Sequence, residues 1–84
     1  MATAQQKPAL ILDAKGLLCP NPIIKTSQAI KQIEVGQVLE VQATDPGSMP
    51  DITAWARMTN NELIDAVEQE GEPTVYTFHI RRLK

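Results

Sequence analysis

The 84-residue chain holds a single cysteine, Cys19, in the run Leu17-Leu18-Cys19-Pro20-Asn21-Pro22. A thiol immediately ahead of a helix start, with prolines on both sides of Asn21 to fix the backbone, is a preorganised position. Free backbone N–H groups and the positive end of the helix dipole stabilise a thiolate there, with Lys15 and Lys25 as candidates to add to the field. Lowering a thiol pKa from about 8.5 to about 7 raises the thiolate fraction at neutral pH from roughly 3% to about half, for about 2 kcal/mol. The bland alternative is a small buried apolar side chain, the commonest fate of a lone cysteine. Cys19 falls outside every periodic stretch, between a Lys15-Gly16 turn and a proline-started helix, and this favours a reactive thiol.

Other chemistries lack their residues. Cys-Pro-Asn-Pro is not Cys-x-x-Cys, so a dithiol cycle has no resolving partner. One cysteine and the one histidine, His79, fall short of a protein zinc site, and no metal or cofactor is expected. A Cys19–His79 nucleophile pair is disfavoured because alternation places His79 on the outward face of the last strand, where it is expected to be solvated. Asp45 and Pro46 are candidates to flank the thiol or to dock a partner. The turn chemistry of Asp45-Pro46-Gly47 favours a structural role for the aspartate, capping its own loop. The basic end, Arg81-Arg82-Lys84, reads as a solvated tail.

The elements that must position Cys19 can be read from period and punctuation. Residues 1–8 read as a polar leader, and residues 9–84 as one domain. Ala9–Asp13 is a short apolar strand. From Asn21 a helix is expected, with Ile23, Ser27, Ile30 and Ile33 on its buried face and Lys25, Gln28, Lys31 and Gln32 elsewhere, ended by Gly36. Gln37–Thr44 alternates as a half-buried strand with Leu39, Val41 and Ala43 inward. Ser48 and Asp51 have capping-box spacing at the start of a second helix, which buries Ile52, Trp55, Ala56 and Thr59 and closes at Asn60-Asn61. Glu62–Glu70 and Thr74–Arg82 bracket a Gly71-Glu72-Pro73 turn as a terminal hairpin.

The order β-α-β-α-β-β implies an α+β two-layer sandwich, two helices on one face of a four-stranded mixed sheet. A crossover through the first helix sets the first two strands parallel and brings the Cys19 loop and the Asp45–Ser48 loop to the same end of the sheet.

Net charge is −2 and the pI is near 5.2, which speaks against a dedicated nucleic-acid or membrane-surface binder. The charge is unevenly spread. Residues 1–36 carry four lysines against Asp13 and Glu34, whereas residues 37–84 carry four basic and eight acidic side chains. The cysteine sits in the basic part. No apolar run approaches the ~20 residues of a membrane span, and the chain reads as cytoplasmic.

Taken together, Leu12-Asp13-Ala14-Lys15-Gly16-Leu17-Leu18-Cys19-Pro20-Asn21-Pro22, then Asp45-Pro46-Gly47, then Asp51-Ile52 with Trp55, resemble the TusA/SirA-like family of sulfur carriers. The resemblance runs from about Leu10 to Arg82 and centres on the family's Cys-Pro-x-Pro motif, here with Gly16, Pro20, Asn21 and Pro22 around Cys19. It implies the same β-α-β-α-β-β sandwich, similar to the C-terminal domain of a bacterial translation initiation factor. It also implies a persulfide on Cys19, received from a cysteine desulfurase or a rhodanese and handed to an acceptor protein with a reactive cysteine. The outlets implied are tRNA thiolation or sulfur oxidation.

The chain departs from the tRNA-thiolation members in carrying Leu18 and Asn21 where those have Arg and Glu. Ala56 stands where some members have a second cysteine. A selenium-handling homologue would use the same cysteine chemistry. The reading from a different class is a non-catalytic RNA-binding or regulatory adaptor of the same fold. Acidity and an expected core location for Trp55, Tyr76 and Phe78 leave it no stacking platform.

Overall fold

In the computed structural model, which describes residues 7–18 and 20–84, four strands and two helices follow one another in the expected order. Strand β1 (Leu10–Ala14) leads to helix α1 (Asn21–Ala29), which tightens into a 3-10 turn at Ile30–Gln32. Strand β2 (Val38–Ala43), helix α2 (Ser48–Met58), β3 (Glu62–Gln69) and β4 (Val75–Arg81) complete the chain. The sheet order is β1-β2-β4-β3, with β1 parallel to β2 and the other pairs antiparallel. This is the expected mixed sheet.

Period-2 patterning decides which face is dry. Leu39, Val41 and Ala43 on β2 and Phe78 and Ile80 on β4 are fully buried, while Glu40, Gln42 and His79 alternate to the other face. Both helices cover the first set, α1 over β1 and β2, α2 over β3 and β4. Ala29, Ile30, Ile33, Ile52, Trp55 and Ala56 close the core from the helical side. The opposite face of the sheet carries no second layer among the described residues.

Four local readings need correction. Around α1, Ile30 and Ile33 are buried as expected, but Pro22, Thr26 and Ala29 share the buried face, whereas Ile23 and Ser27 are only partly buried. Thr26 can occupy the core because its hydroxyl donates to the Pro22 carbonyl at 2.7 Å, so no polar group is left unpaired.

The capping box does not form. Gly47 is the N-cap of α2, Ser48 lies inside the helix, and its buried hydroxyl has no hydrogen-bond partner among the described residues. Thr59 is the exposed C-cap rather than part of the buried face. Asn60, at φ +60, and Asn61 then close the helix, their N–H groups returning to the carbonyls of Arg57 and Ala56.

Strand β3 is interrupted by a bulge between Leu63 and Asp65 that turns Ile64 out, 41% exposed. The basic end is not a free tail. Arg81 lies in β4 and pairs with Glu62 at 3.1 Å, and the Arg82 guanidinium donates to the carbonyls of Lys84 and Ile33.

Candidate functional site

The parallel pairing of β1 with β2 dictates where the loop around position 19 must lie. Ala14 is in register with Ala43, so the residues that follow each strand leave the sheet side by side. Gly16, at φ +85, donates its N–H to the Thr44 hydroxyl at 2.9 Å, which ties the two loops together. That positive φ suits glycine best and is tolerated by asparagine among the other residues. Lys15 donates its N–H to Asp13 Oδ1 at 3.0 Å and Leu17 to the Ala14 carbonyl at 3.2 Å, so the turn after β1 is fixed by the Asp13 side chain and by its own backbone. Thr44 was missed in the sequence. The parallel register was the signal that could have found it.

Beyond the turn, Leu18 is 71% exposed, and Pro20 and Asn21 are also exposed. Cys19 itself, the expected nucleophile, lies outside the described residues. Pro20 is the N-cap of α1 and Pro22 falls in its first turn, buried.

Among the described residues, the backbone N–H groups at the start of α1 are engaged within the chain. Pro20 and Pro22 have no N–H, Asn21 donates to the Leu18 carbonyl at 2.9 Å, and Ile23 and Ile24 donate to the Pro20 carbonyl at 3.1 Å. The helix start has therefore used its first donors within the chain. The positive helix end and lysines remain. Lys15 and Lys25 are both exposed and neither is in an ion pair among the described residues. Lys25 lies one turn into α1 and borders a shallow groove against Leu10–Leu12 of β1.

Across from this turn, Asp45 caps its own loop: Oδ1 accepts the Gly47 N–H at 3.2 Å, and its carbonyl accepts the Ser48 N–H at 2.9 Å. That is the structural role expected of it. Pro46 is exposed beside it. The N-termini of α1 and α2 thus stand at one end of the sheet, joined through Gly16 and Thr44.

Trp55 is buried and its Nε1–H donates to Ser27 Oγ at 2.9 Å, locking the two helices together. Phe78 is fully buried and Tyr76 packs against the core, so no aromatic platform faces out.

His79 is on the outward sheet face as expected but is not simply solvated. Its Nδ1 lies 2.6 Å from Asp65 Oδ1 and its Nε2 lies 3.1 Å from Glu40 Oε1. Partial burial is the largest single influence on its pKa and lowers it. The hydrogen bonds to the two carboxylates, with their charges, outweigh it and leave the pKa raised. Both ring nitrogens are engaged by strand neighbours. Among the described residues no group of three or more His, Cys, Asp or Glu side chains is arranged to hold a metal ion, and no helix is long and apolar enough to cross a membrane.

A family model described as Sulfurtransferase TusA matches residues 10–82, the whole of the sheet and both helices. The chain belongs to the TusA family. Sulfur carrier protein TusA of Allochromatium vinosum is 48% identical over 61 residues, which cover 73% of this chain and 80% of that one. Two Bacillus subtilis proteins that bear the name of a sulfur carrier are similar as well. YrkI is 44% identical over 72 residues, covering 86% of this chain and 92% of its own. YrkF is 50% identical over 66 residues, and there the match spans only 35% of the longer relative. The crystal structure of a SirA-like protein from Desulfitobacterium hafniense superimposes with a TM-score of 0.70 over 89% of this chain and 99% of that one, at 22% identity. That likeness confirms the two-layer fold. Membership of TusA supports a role in carrying sulfur, with a donor and an acceptor in general.

Proposed function

We propose that this TusA-family chain carries one sulfane sulfur atom as a persulfide on Cys19 and relays it between proteins. The observation that supports this most is the family match over residues 10–82 in a chain whose only cysteine is Cys19. No other side chain can form a persulfide.

In the loading step the Cys19 thiolate attacks the outer sulfur of a donor persulfide. A new S–S bond forms to Cys19, the donor's S–S bond breaks, and its inner sulfur leaves as a thiolate. In the unloading step an acceptor thiolate attacks the outer sulfur of Cys19-S-SH, and the Cys19 thiolate is released. The two steps mirror each other, with no net oxidation or reduction. A cysteine desulfurase or a rhodanese is the proposed donor, and a protein with a reactive cysteine is the proposed acceptor, in tRNA thiolation or in sulfur oxidation. The contribution of the fold is positional. Gly16, Thr44 and the Pro20 N-cap fix the backbone on either side of residue 19, and exposed Leu18, Pro20 and Pro46 leave room for a partner to approach.

The test is intact-protein mass spectrometry after incubation with a cysteine desulfurase and cysteine, or with thiosulfate and a rhodanese. A gain of one sulfur, lost on reduction and moved to an acceptor protein, is expected for the wild type. Cys19→Ser should take up none and melt at the same temperature. Uptake by Cys19→Ser, or a persulfide that no acceptor removes, would overturn the relay.

A further inference from the structure

Leu18 is the most exposed leucine among the described residues, at 71%, and it stands next in the chain to the only residue that can carry sulfur. The fold does not account for an apolar side chain at that position. The bonds that fix this stretch are made by the backbone: the Leu17 N–H donates to the Ala14 carbonyl at 3.2 Å and the Asn21 N–H to the Leu18 carbonyl at 2.9 Å. Leu18 is neither in the core nor packed against it, and its φ is not positive. A polar side chain would serve the turn equally well.

Single exposed leucines are ordinary on protein surfaces. Leu18 has apolar company, however, because Pro20 and Ile24 follow residue 19 and are both exposed. They are four residues apart and so share one face at the start of α1. The Ile24 N–H donates to the Pro20 carbonyl at 3.1 Å, which holds that face in place.

Sulfur exchange obliges a partner to cover this patch. To form an S–S bond the partner's sulfur must come to about 2 Å from that of Cys19. Consecutive Cα atoms are only about 3.8 Å apart, so a protein surface that delivers a sulfur there also lies against residue 18. Loading and unloading make the same demand, since each is an attack on a sulfur bonded to, or becoming bonded to, Cys19.

We infer that Leu18, with Pro20 and Ile24 beside it, is the anchor by which a sulfur-exchanging partner protein is recognised, and that the partner carries an apolar depression next to its own exchanging cysteine. This rests on the persulfide relay proposed above. Leu18 acts in recognition and touches no reacting bond. The turn presents it on backbone that is already ordered, so docking sacrifices little chain freedom. Donor and acceptor need the same surface, and therefore bind in turn rather than together.

The test measures loading by intact-protein mass spectrometry with two kinds of sulfur source. One is a protein donor, a cysteine desulfurase with cysteine or a rhodanese with thiosulfate. The other is glutathione persulfide, whose outer sulfur the Cys19 thiolate attacks with release of the glutathione thiolate, and which has no protein surface to lay against Leu18. Leu18→Ser should raise the KM for the protein donor by about tenfold or more, and Leu18→Met should restore most of it. With glutathione persulfide, Leu18→Ser and the wild type should load at the same rate. Met58→Ser, which removes an even more exposed apolar side chain at the far end of α2, should change neither reaction. Equal losses with both sources would place the effect in the thiol itself, and no loss with the protein donor would leave Leu18 without a partner. Either result overturns the inference and leaves the relay standing, as does a wild type that glutathione persulfide loads and no protein donor does. A wild type that takes sulfur from neither source refutes the relay, and the inference with it.

Discussion

His79 lies between two carboxylates contributed by different strands, Glu40 of β2 and Asp65 of β3, and only its protonated form satisfies both. A neutral imidazole has one N–H, so its other nitrogen would present a lone pair to a carboxylate oxygen. The raised pKa follows from that arrangement. The Glu40 carboxylate also accepts from Gln42 Nε2 at 2.6 Å, and Arg81 of β4 pairs with Glu62 of β3 at 3.1 Å.

Because the folded pKa is above the ordinary histidine value, the stabilisation is fully present below about pH 6.5 and is lost as pH rises through the folded value. The Glu40 carboxylate is 17% exposed and its contact counts nearly in full, whereas Asp65, at 51%, is discounted for solvent screening. Together the two charge-assisted contacts are worth about 1–2 kcal/mol. In a domain of this size that corresponds to a melting shift of roughly 4–16 °C.

His79→Gln should therefore melt well below the wild type at pH 6, and the gap should narrow as pH rises toward 9. Because the chain has one histidine, its ring-proton resonance titrates without ambiguity and should show a pKa above 6.5. A histidine titrating at or below that value would refute the reasoning, as would a melting gap that is independent of pH or widens at high pH.

Ser48→Ala removes a buried hydroxyl that has no partner among the described residues and puts a better helix former inside α2, so a gain of about 1–2 kcal/mol is expected in urea unfolding. A loss would mean that the hydroxyl is bonded. Gly16→Ala forces a β-carbon into φ +85, where its side chain meets no obstacle but its backbone does, at about 1–2 kcal/mol. Sulfur loading should slow as the tie to Thr44 loosens, and Gly16→Asn should recover most of the stability; equal stability of all three variants would contradict the strained turn.

Element order and sheet topology were legible because alternation in β2 and β4, the prolines at α1 and the Asp45-Pro46-Gly47 turn all point to the same layers. Leu39, Val41, Ala43, Phe78 and Ile80 were correctly read as inward. Side-chain hydrogen bonds were less legible. Thr26 reads as polar and is in the core, because a hydroxyl that returns to its own helix carbonyl behaves as an apolar group. Ser48 and Asp51 had the right spacing for a capping box, yet Gly47 began the helix one residue earlier than that motif requires.

His79 and Arg81 read as solvated because their partners, Glu40, Asp65 and Glu62, come from other strands and are fixed only by register. At the candidate site, the meeting of the two loops followed from parallel pairing, whereas the consumption of the first α1 donors by Leu18 and Pro20 did not. Two prolines around Asn21 remove N–H groups as well as fix the backbone.

The bulge at Ile64 has a bearing on how the chain behaves when crowded. Strand β3 is an edge of the sheet, eight residues long, and a flat edge of that length would offer its unpaired backbone to another copy. The bulge breaks the straight run, and Glu62, Asp65 and Glu68 along it would bring like charges together if two such edges met. The edge is thus poorly suited to growing a sheet through self-association, so the chain stays dispersed at high concentration without covering that strand.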